Sequence, residues 1–304
     1  MSVWPSRKYR EFVEKNASAA DAPLLLNPAS EAIDPDWPNI QVTFFPMNSW
    51  MEWFDIVLDE SSFKLFLHQY RRDVRHYKED LQKQFAPIKR YGTGRALLCE
   101  IRRRKDKGVV KFRPNWDWSD IVNAETIADK ERDATAKGQP ISTRPHASLG
   151  TGNGTNSTIQ YTPEMWGEKG ASRIHAPSFE PDEVIYHEMV HASRQLLGVQ
   201  EATKVKKGYG DVEEYLATVL TNVYLSDKGQ TKFAANHGTG TLKDPEHFLD
   251  NAQHVDMSPR TLLRSFRGAQ PEFYGDLAKF GPPVPKFNPV WQFDQEIRAG
   301  VNKN

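Results

Sequence analysis

Cysteine is almost missing from this chain of 304 residues: Cys99 stands alone, so no intrachain disulfide can form and no thiolate cluster can hold a structural metal. Any metal must therefore be held by histidine and carboxylate. An excess of one charge is missing too. Lys plus Arg (40) equals Asp plus Glu (40), which withholds the basic surplus that drives nucleic-acid binding, and no nucleic-acid partner is expected. No stretch approaches the ~18 uncharged apolar residues of a membrane span. Behind the charges of the first ten residues there is no apolar run, so a secretory signal peptide is not expected either. Internal repeats and low-complexity tracts are also absent.

What is present reads as an α+β chain with its sheet placed early and its helices late. Residues 1–48, rich in Pro, Asn, Ala and Asp, show no sustained period and read as an irregular arm. From Ser61 to Phe85 the apolar positions Phe63, Phe66, Leu67, Tyr70, Val74, Tyr77, Leu81 and Phe85 recur at helical spacing, which predicts a long amphipathic helix ending before Pro87. Ala96 to Arg102 and Val109 to Phe112 read as a hairpin around the charged turn at 103–108, and Asn123 to Ala136 as a helix. Ser157 to Thr162 reads as a strand. Helices are then predicted from Pro181 to Leu197, Val212 to Ser226, Pro245 to Ala252, Ser258 to Phe266 and Pro271 to Phe280, with an extended Pro-rich tail. The division expected is an arm plus long helix over 1–90 and a second unit over 91–304.

The segment from Glu180 to Gly198 contains His187-Glu188-Met-Val-His191, a His-Glu-x-x-His pattern. Pro181 suits the first helical turn, Asp182 and Glu183 its positive end and Gly198 its stop, so both histidines fall mid-helix. Residues four apart on a helix differ by about 40° in direction and ~6 Å in height, so the two imidazoles can converge on one ion. Glu188 lies about 100° further round, displaced from the ion yet close to a water bound there, the place for a general base. The ion expected is zinc, which needs a third protein ligand from another element.

That ligand falls in the helix predicted to start at Val212, at Glu213 or Glu214. Helical geometry puts Glu213 nearer the apolar stripe and by itself favours Glu213. The pattern resembles the gluzincins, zinc peptidases of zincin-like fold in which a Glu on a second helix completes the set. Glu214-Tyr-Leu-Ala217 is similar to the Glu-Phe-Phe-Ala of anthrax lethal factor, and the paired glutamates to those of botulinum neurotoxin light chains, where the second is the ligand. The resemblance thus implies Glu214 as ligand, with Glu213 supporting it or standing as the alternative.

A wider set of segments, Gly150 to Pro163, His187 to Arg194, Glu213 to Ser226 and Asn236-His237-Gly238, resembles the metallopeptidase effector domains associated with type VI secretion spike proteins. The likeness covers about Val109 to Phe280. It implies a toxin that is cytoplasmic in its producer and is sent by a contact-dependent apparatus into a target cell, with a protein or peptide substrate, a secretion-apparatus component and an immunity protein as partners.

A peptidase also needs a donor to the developing oxyanion. Tyr209 and His237, both on loops, are the candidates. Ser157 to Thr162 reads either as the edge strand that, in peptidases of the type resembled, takes the substrate backbone by strand addition or as an ordinary sheet strand. Gly150 to Gly154 lacks a following Lys-Ser/Thr and so reads as a flexible lip or plain turn, not a phosphate loop. The basic groups Arg102 to Lys105 read as a solvated face, Cys99 as a core residue, and Arg194 either as a partner for an acid such as Glu213 or as a solvated side chain. Two rivals remain: a metallohydrolase of peptidoglycan crosslinks, and a non-catalytic binding domain on the same scaffold, for which Glu188 would have no use.

Overall fold

A computed structural model describes residues 11, 14–15, 29–44, 60–114, 124–141, 148–166, 180–205, 208–236, 240–250, 257–283 and 286–301. The architecture is mixed α+β, a five-stranded sheet followed by a helical half. The sheet contains β1 (Ala29–Ala32), β2 (Ile40–Phe44), β3 (Val110–Arg113), β4 (Glu125–Ala128) and β5 (Ser157–Gln160), in the order β1-β2-β3-β5-β4. β2, β3 and β5 run parallel, while β1 and β4 are antiparallel to their neighbours. Residues 29–44 therefore do not belong to an irregular arm. Their apolar residues are few, yet Ile40 and Val42 are buried and join Val110, Phe112 and Ile159 on one sheet face.

Helix α1 (Glu60–Arg90) covers the predicted helical segment but runs on through Pro87, and the side chains of Phe63, Phe66, Leu67, Tyr70 and Val74 lie outside those described. Among its described side chains Tyr77, Leu81, Phe85 and Ile88 are buried, and the Phe85 ring meets Phe112 edge to face at 5.5 Å. The burial of Ile88 beyond the proline shows what carries the helix through it. Helix α2 (Gly92–Arg103) follows after a corner so tight that a Cβ on Gly94 would lie 2.1 Å from the Ile88 carbonyl oxygen.

The hairpin expected at 96–112 is thus half wrong: Ala96 to Arg102 is helical and only Val110–Arg113 is a strand. Thr93, Gly94, Ala96, Leu97, Leu98, Glu100 and Ile101 are buried and Arg95, Arg102 and Arg103 exposed, so the apolar run is too short to separate a helix from a strand by its sequence alone. Cys99 is half-buried on this helix rather than in the core. Arg103 and Arg104 are not merely solvated, since both pair with the buried Glu100, and they reach Asp276 and Glu272 respectively.

The helix expected over 123–136 is also corrected. Glu125–Ala128 is a strand, and only Glu131–Ala134 forms a helical turn, α3. Thr126 and Ile127 are β-branched and the ladder to β5 overrides the helical pattern.

The helical half comprises α4 (Pro181–Leu197), α5 (Val212–Asp227), α6 (Pro259–Ala269), α7 (Pro271–Leu277) and α8 (Pro289–Arg298). A small ribbon, β6 (Lys204–Val205) with β7 (Gly210–Asp211), links α4 to α5. The bounds of α4 match the expectation residue for residue. Within Pro245 to Ala252 only a 3-10 turn, Phe248–Asp250, is found among the described residues. The tail is not extended throughout, because Asn288 accepts from the Val290 and Trp291 N–H groups and starts α8 at Pro289. No helix among the described residues is long and apolar enough to cross a membrane.

The Gly150–Gly154 run is a turn packed on the end of α4, where Thr155 N–H donates to the Gln195 carbonyl at 3.1 Å. Gly154 has φ +80, and a Cβ there would sit 2.0 Å from the Leu196 carbonyl oxygen. Gly229 has φ +85 with nothing within 4 Å of the same added atom. Gly229→Ala is therefore expected to cost about 1 to 2 kcal/mol for the left-handed backbone alone, and Gly154→Ala distinctly more. Urea unfolding of the two variants checks the order.

Candidate metal site

Every residue of helix α4 from Asp182 to Leu196 is buried, so its charged side chains must find partners inside the protein. Its start is built by a capping box, in which Glu180 and Glu183 exchange bonds with each other's backbone, and by Pro181 at the first position. Gly198, with φ 68, closes its end. Four residues apart on this fixed helix, His187 and His191 bring their Nε2 atoms to 3.1 Å.

Helix α5 lies antiparallel against α4, and buried charges tie the two together at both ends. At one end Lys228 donates to Asp182 at 2.8 Å and to Glu183 at 2.7 Å, and the Tyr224 hydroxyl donates to Asp182 at 2.6 Å. At the other end the Arg194 guanidinium grips Glu213 through bonds of 2.7 to 2.9 Å. Glu213 also accepts from the Glu201 N–H at 2.7 Å, while Arg194 donates to the Val199 carbonyl and to Gln270. The pairing of Arg194 with Glu213 is the one its position beyond His191 suggested.

Between these clamps, Asp211 caps α5 by accepting from the Glu214 N–H at 3.1 Å. The Glu214 carboxylate then stands with Oε2 at 3.2 Å from His187 Nε2 and 3.5 Å from His191 Nε2. One ligand atom from each of these three residues lies within 4.8 Å of the others. Glu214, not Glu213, is thus the acid brought to the histidines. Thr221 Oγ1 sits 3.4 Å from His187 Nδ1, behind the ring.

Burial works to depress the His191 pKa, but the Glu214 carboxylate outweighs it and, with Glu188 and Glu213, lifts it to about 9. Burial likewise works to raise Glu214, and the two imidazoles outweigh it, holding its carboxyl well below the usual carboxylate range. The three side chains together thus favour a positive charge at their centre. Their spacing suits a metal cation, because tetrahedral ligands about 2.05 Å from zinc lie about 3.3 Å from one another. The donor set, two imidazoles and a carboxylate, fits zinc and related divalent ions.

Glu188, next to His187 on the same helix, meets the sheet. There the Thr126 hydroxyl, on β4, lies 2.6 Å from Glu188 Oε2 and 3.1 Å from the Glu188 carbonyl. Nothing in the sequence marked Thr126, which stands 62 positions from Glu188 within a segment read as helix. Tyr209, between β6 and β7, is buried with its ring against Tyr215 at 4.4 Å, and burial pushes its hydroxyl up to about 12. His237 lies outside the described residues. β5 is flanked by β3 and β4, so of its two readings it is the ordinary sheet strand, and β4 is the edge next to it.

Because Arg194 is the main counter-charge for a buried Glu213, Arg194→Met is expected to destabilise the fold by about 3 to 5 kcal/mol. Arg194→Met combined with Glu213→Leu is expected to cost less than Arg194→Met alone, as measured by chemical unfolding.

No curated protein and no solved structure matches the chain. A family profile does, over residues 66–238, a span that contains α4, α5 and all three clustered side chains. By that match over more than half its length, the chain belongs to the Peptidase M91 family, described as effector protein.

Proposed function

We propose that this protein is a zinc-dependent peptidase of zincin-like fold, with the ion held by His187, His191 and Glu214 and with Glu188 as general base. The observation that carries the reading is the convergence of Nε2, Nε2 and Oε2 at 3.1 to 3.5 Å beside a carboxylate from the next residue of the same helix. Membership of a family of peptidase effectors supports it.

When bound, zinc would supply the positive charge that polarises the scissile carbonyl and acidifies a water. The chain's own groups do the rest. Glu188 takes a proton from that water and returns it to the leaving amine. Thr221, behind His187, fixes the imidazole from its far side. β4 ends the sheet among the described residues, and its free edge suits an extended substrate bound by strand addition. Tyr209, protonated at neutral pH, is retained as a donor to the oxyanion, and His237 as its alternative. The substrate class is protein or peptide, and the site of action is a target cell reached through a contact-dependent secretion system of the type VI kind. An immunity protein would guard the producer.

Metal analysis of the purified chain is expected to give one zinc, retained in Glu188→Ala and lost in Glu214→Ala, with Glu213→Gln keeping its metal. Glu188→Ala is expected to lower peptide hydrolysis by about 100-fold to 10,000-fold and to abolish toxicity when the chain is expressed in the bacterial cytoplasm or periplasm. Cleavage of sacculi but not of protein would replace this reading with crosslink hydrolysis. Unchanged toxicity in Glu188→Ala would replace it with a binding role.

Chelation supplies an independent check. Zinc at a hundredfold its Kd adds about 2.7 kcal/mol to the native state, so removing it is expected to lower Tm by several degrees in the wild type. Glu214→Ala should show no such zinc-dependent shift.

A further inference from the structure

We propose that Thr126 is a positioning residue that holds the Glu188 carboxylate in its working orientation, an inference that rests on Glu188 being the base. The hydroxyl of Thr126 lies near two acceptors, Glu188 Oε2 at 2.6 Å and the Glu188 carbonyl at 3.1 Å, and has one hydrogen to give. The shorter contact is in the range of a hydroxyl donating to an ionised carboxylate, the stronger acceptor of the two. With Oε2 engaged in this way, Oε1 is the oxygen left for proton transfer.

The donor is itself fixed. As a β-branched residue Thr126 has a stiff χ1, and its strand is bound to α4 at a second point on the same helical face. Gln195, seven residues after Glu188, donates through Nε2 to the Thr126 carbonyl at 3.3 Å and accepts from the Ser157 hydroxyl at 2.7 Å. Ser157 pairs with Ala128 in the ladder between β4 and β5. Thr126 is thus anchored through backbone and side chain to the helix that bears the base. A free glutamate would sample several rotamers, of which few present an oxygen to the attacking water; one pinned from the sheet is held for the reaction in advance. The strand that pins it is also the sheet edge on which the substrate would lie.

The test uses the full zinc-loaded chain with unfolded casein as the probe. Thr126→Val, which keeps the shape and loses the hydroxyl, is expected to lower kcat by about 10-fold to 100-fold with KM and zinc content unchanged. Thr126→Ser is expected to recover most of that loss, and Thr126→Val should cost nothing more in a Glu188→Ala background. Full kcat in Thr126→Val, equal losses in the Ser and Val variants, or a multiplied loss in the double variant would each overturn the proposal. If Glu188→Ala itself cleaves casein like the wild type, the base assignment fails first; if it is inactive while Thr126→Val is not, only the positioning role falls. Crystals of the zinc-loaded Thr126→Val and Thr126→Ser chains give a readout independent of turnover. The Glu188 carboxylate is expected to move or spread over several positions in the Val variant and stay in place in the Ser variant, and an unmoved carboxylate in the Val variant sinks the idea.

Discussion

The register between α4 and α5 is the constraint on which the rest of the site depends. A single helix sets the spacing of His187 and His191, but nothing local brings Glu214 to them from the next helix, 27 positions after His187. Buried charges do this at both ends of the antiparallel pair, Asp182 and Glu183 with Lys228 at one and Arg194 with Glu213 at the other. Each charge also sits at the helix end where the backbone dipole favours it. Sliding either helix by a turn would leave these groups buried and unpaired, a cost of several kcal/mol per ion. The clamps thus specify one alignment, and in that alignment the three donors converge.

The polar side chains of α4 divide by direction. His187 and His191 meet α5, Arg194 reaches the start of α5 and Gln270, and Glu188 and Gln195 meet the sheet. A buried helix with this many polar groups is stable only because each direction offers a partner. Glu188 therefore belongs structurally to the sheet, and the cluster of His187, His191 and Glu214 to the helix pair.

How much of this was legible in the sequence depends on whether local pattern and tertiary surroundings agreed. The bounds of α4 were legible because its proline, acids and glycine act locally. The choice between Glu213 and Glu214 was not settled by helical geometry, although that geometry rightly turned Glu213 inward. Glu213 is buried to meet Arg194, whereas the Glu214 side chain remains 29% exposed, and a site that must admit substrate lies nearer the surface than the apolar stripe. The shortness of its apolar run hid the helical nature of α2, and ladder formation turned part of the 123–136 segment into β4. Thr126 could not be found at all, because its importance comes from a contact across 62 residues.

The parallel pairing of β2 with β3 has a consequence for the extent of the folding unit. β3 lies inside the sheet only because Ile40–Phe44 covers one side of it. The family profile begins at residue 66, after that strand. A recombinant fragment cut to the profile would leave a row of bare backbone donors and acceptors along β3, a template for sticking to other chains. A piece that bears the cluster and keeps β3 covered must therefore reach back to at least Ile40, and a cut after that strand would bare β3 before it removed any residue of the cluster.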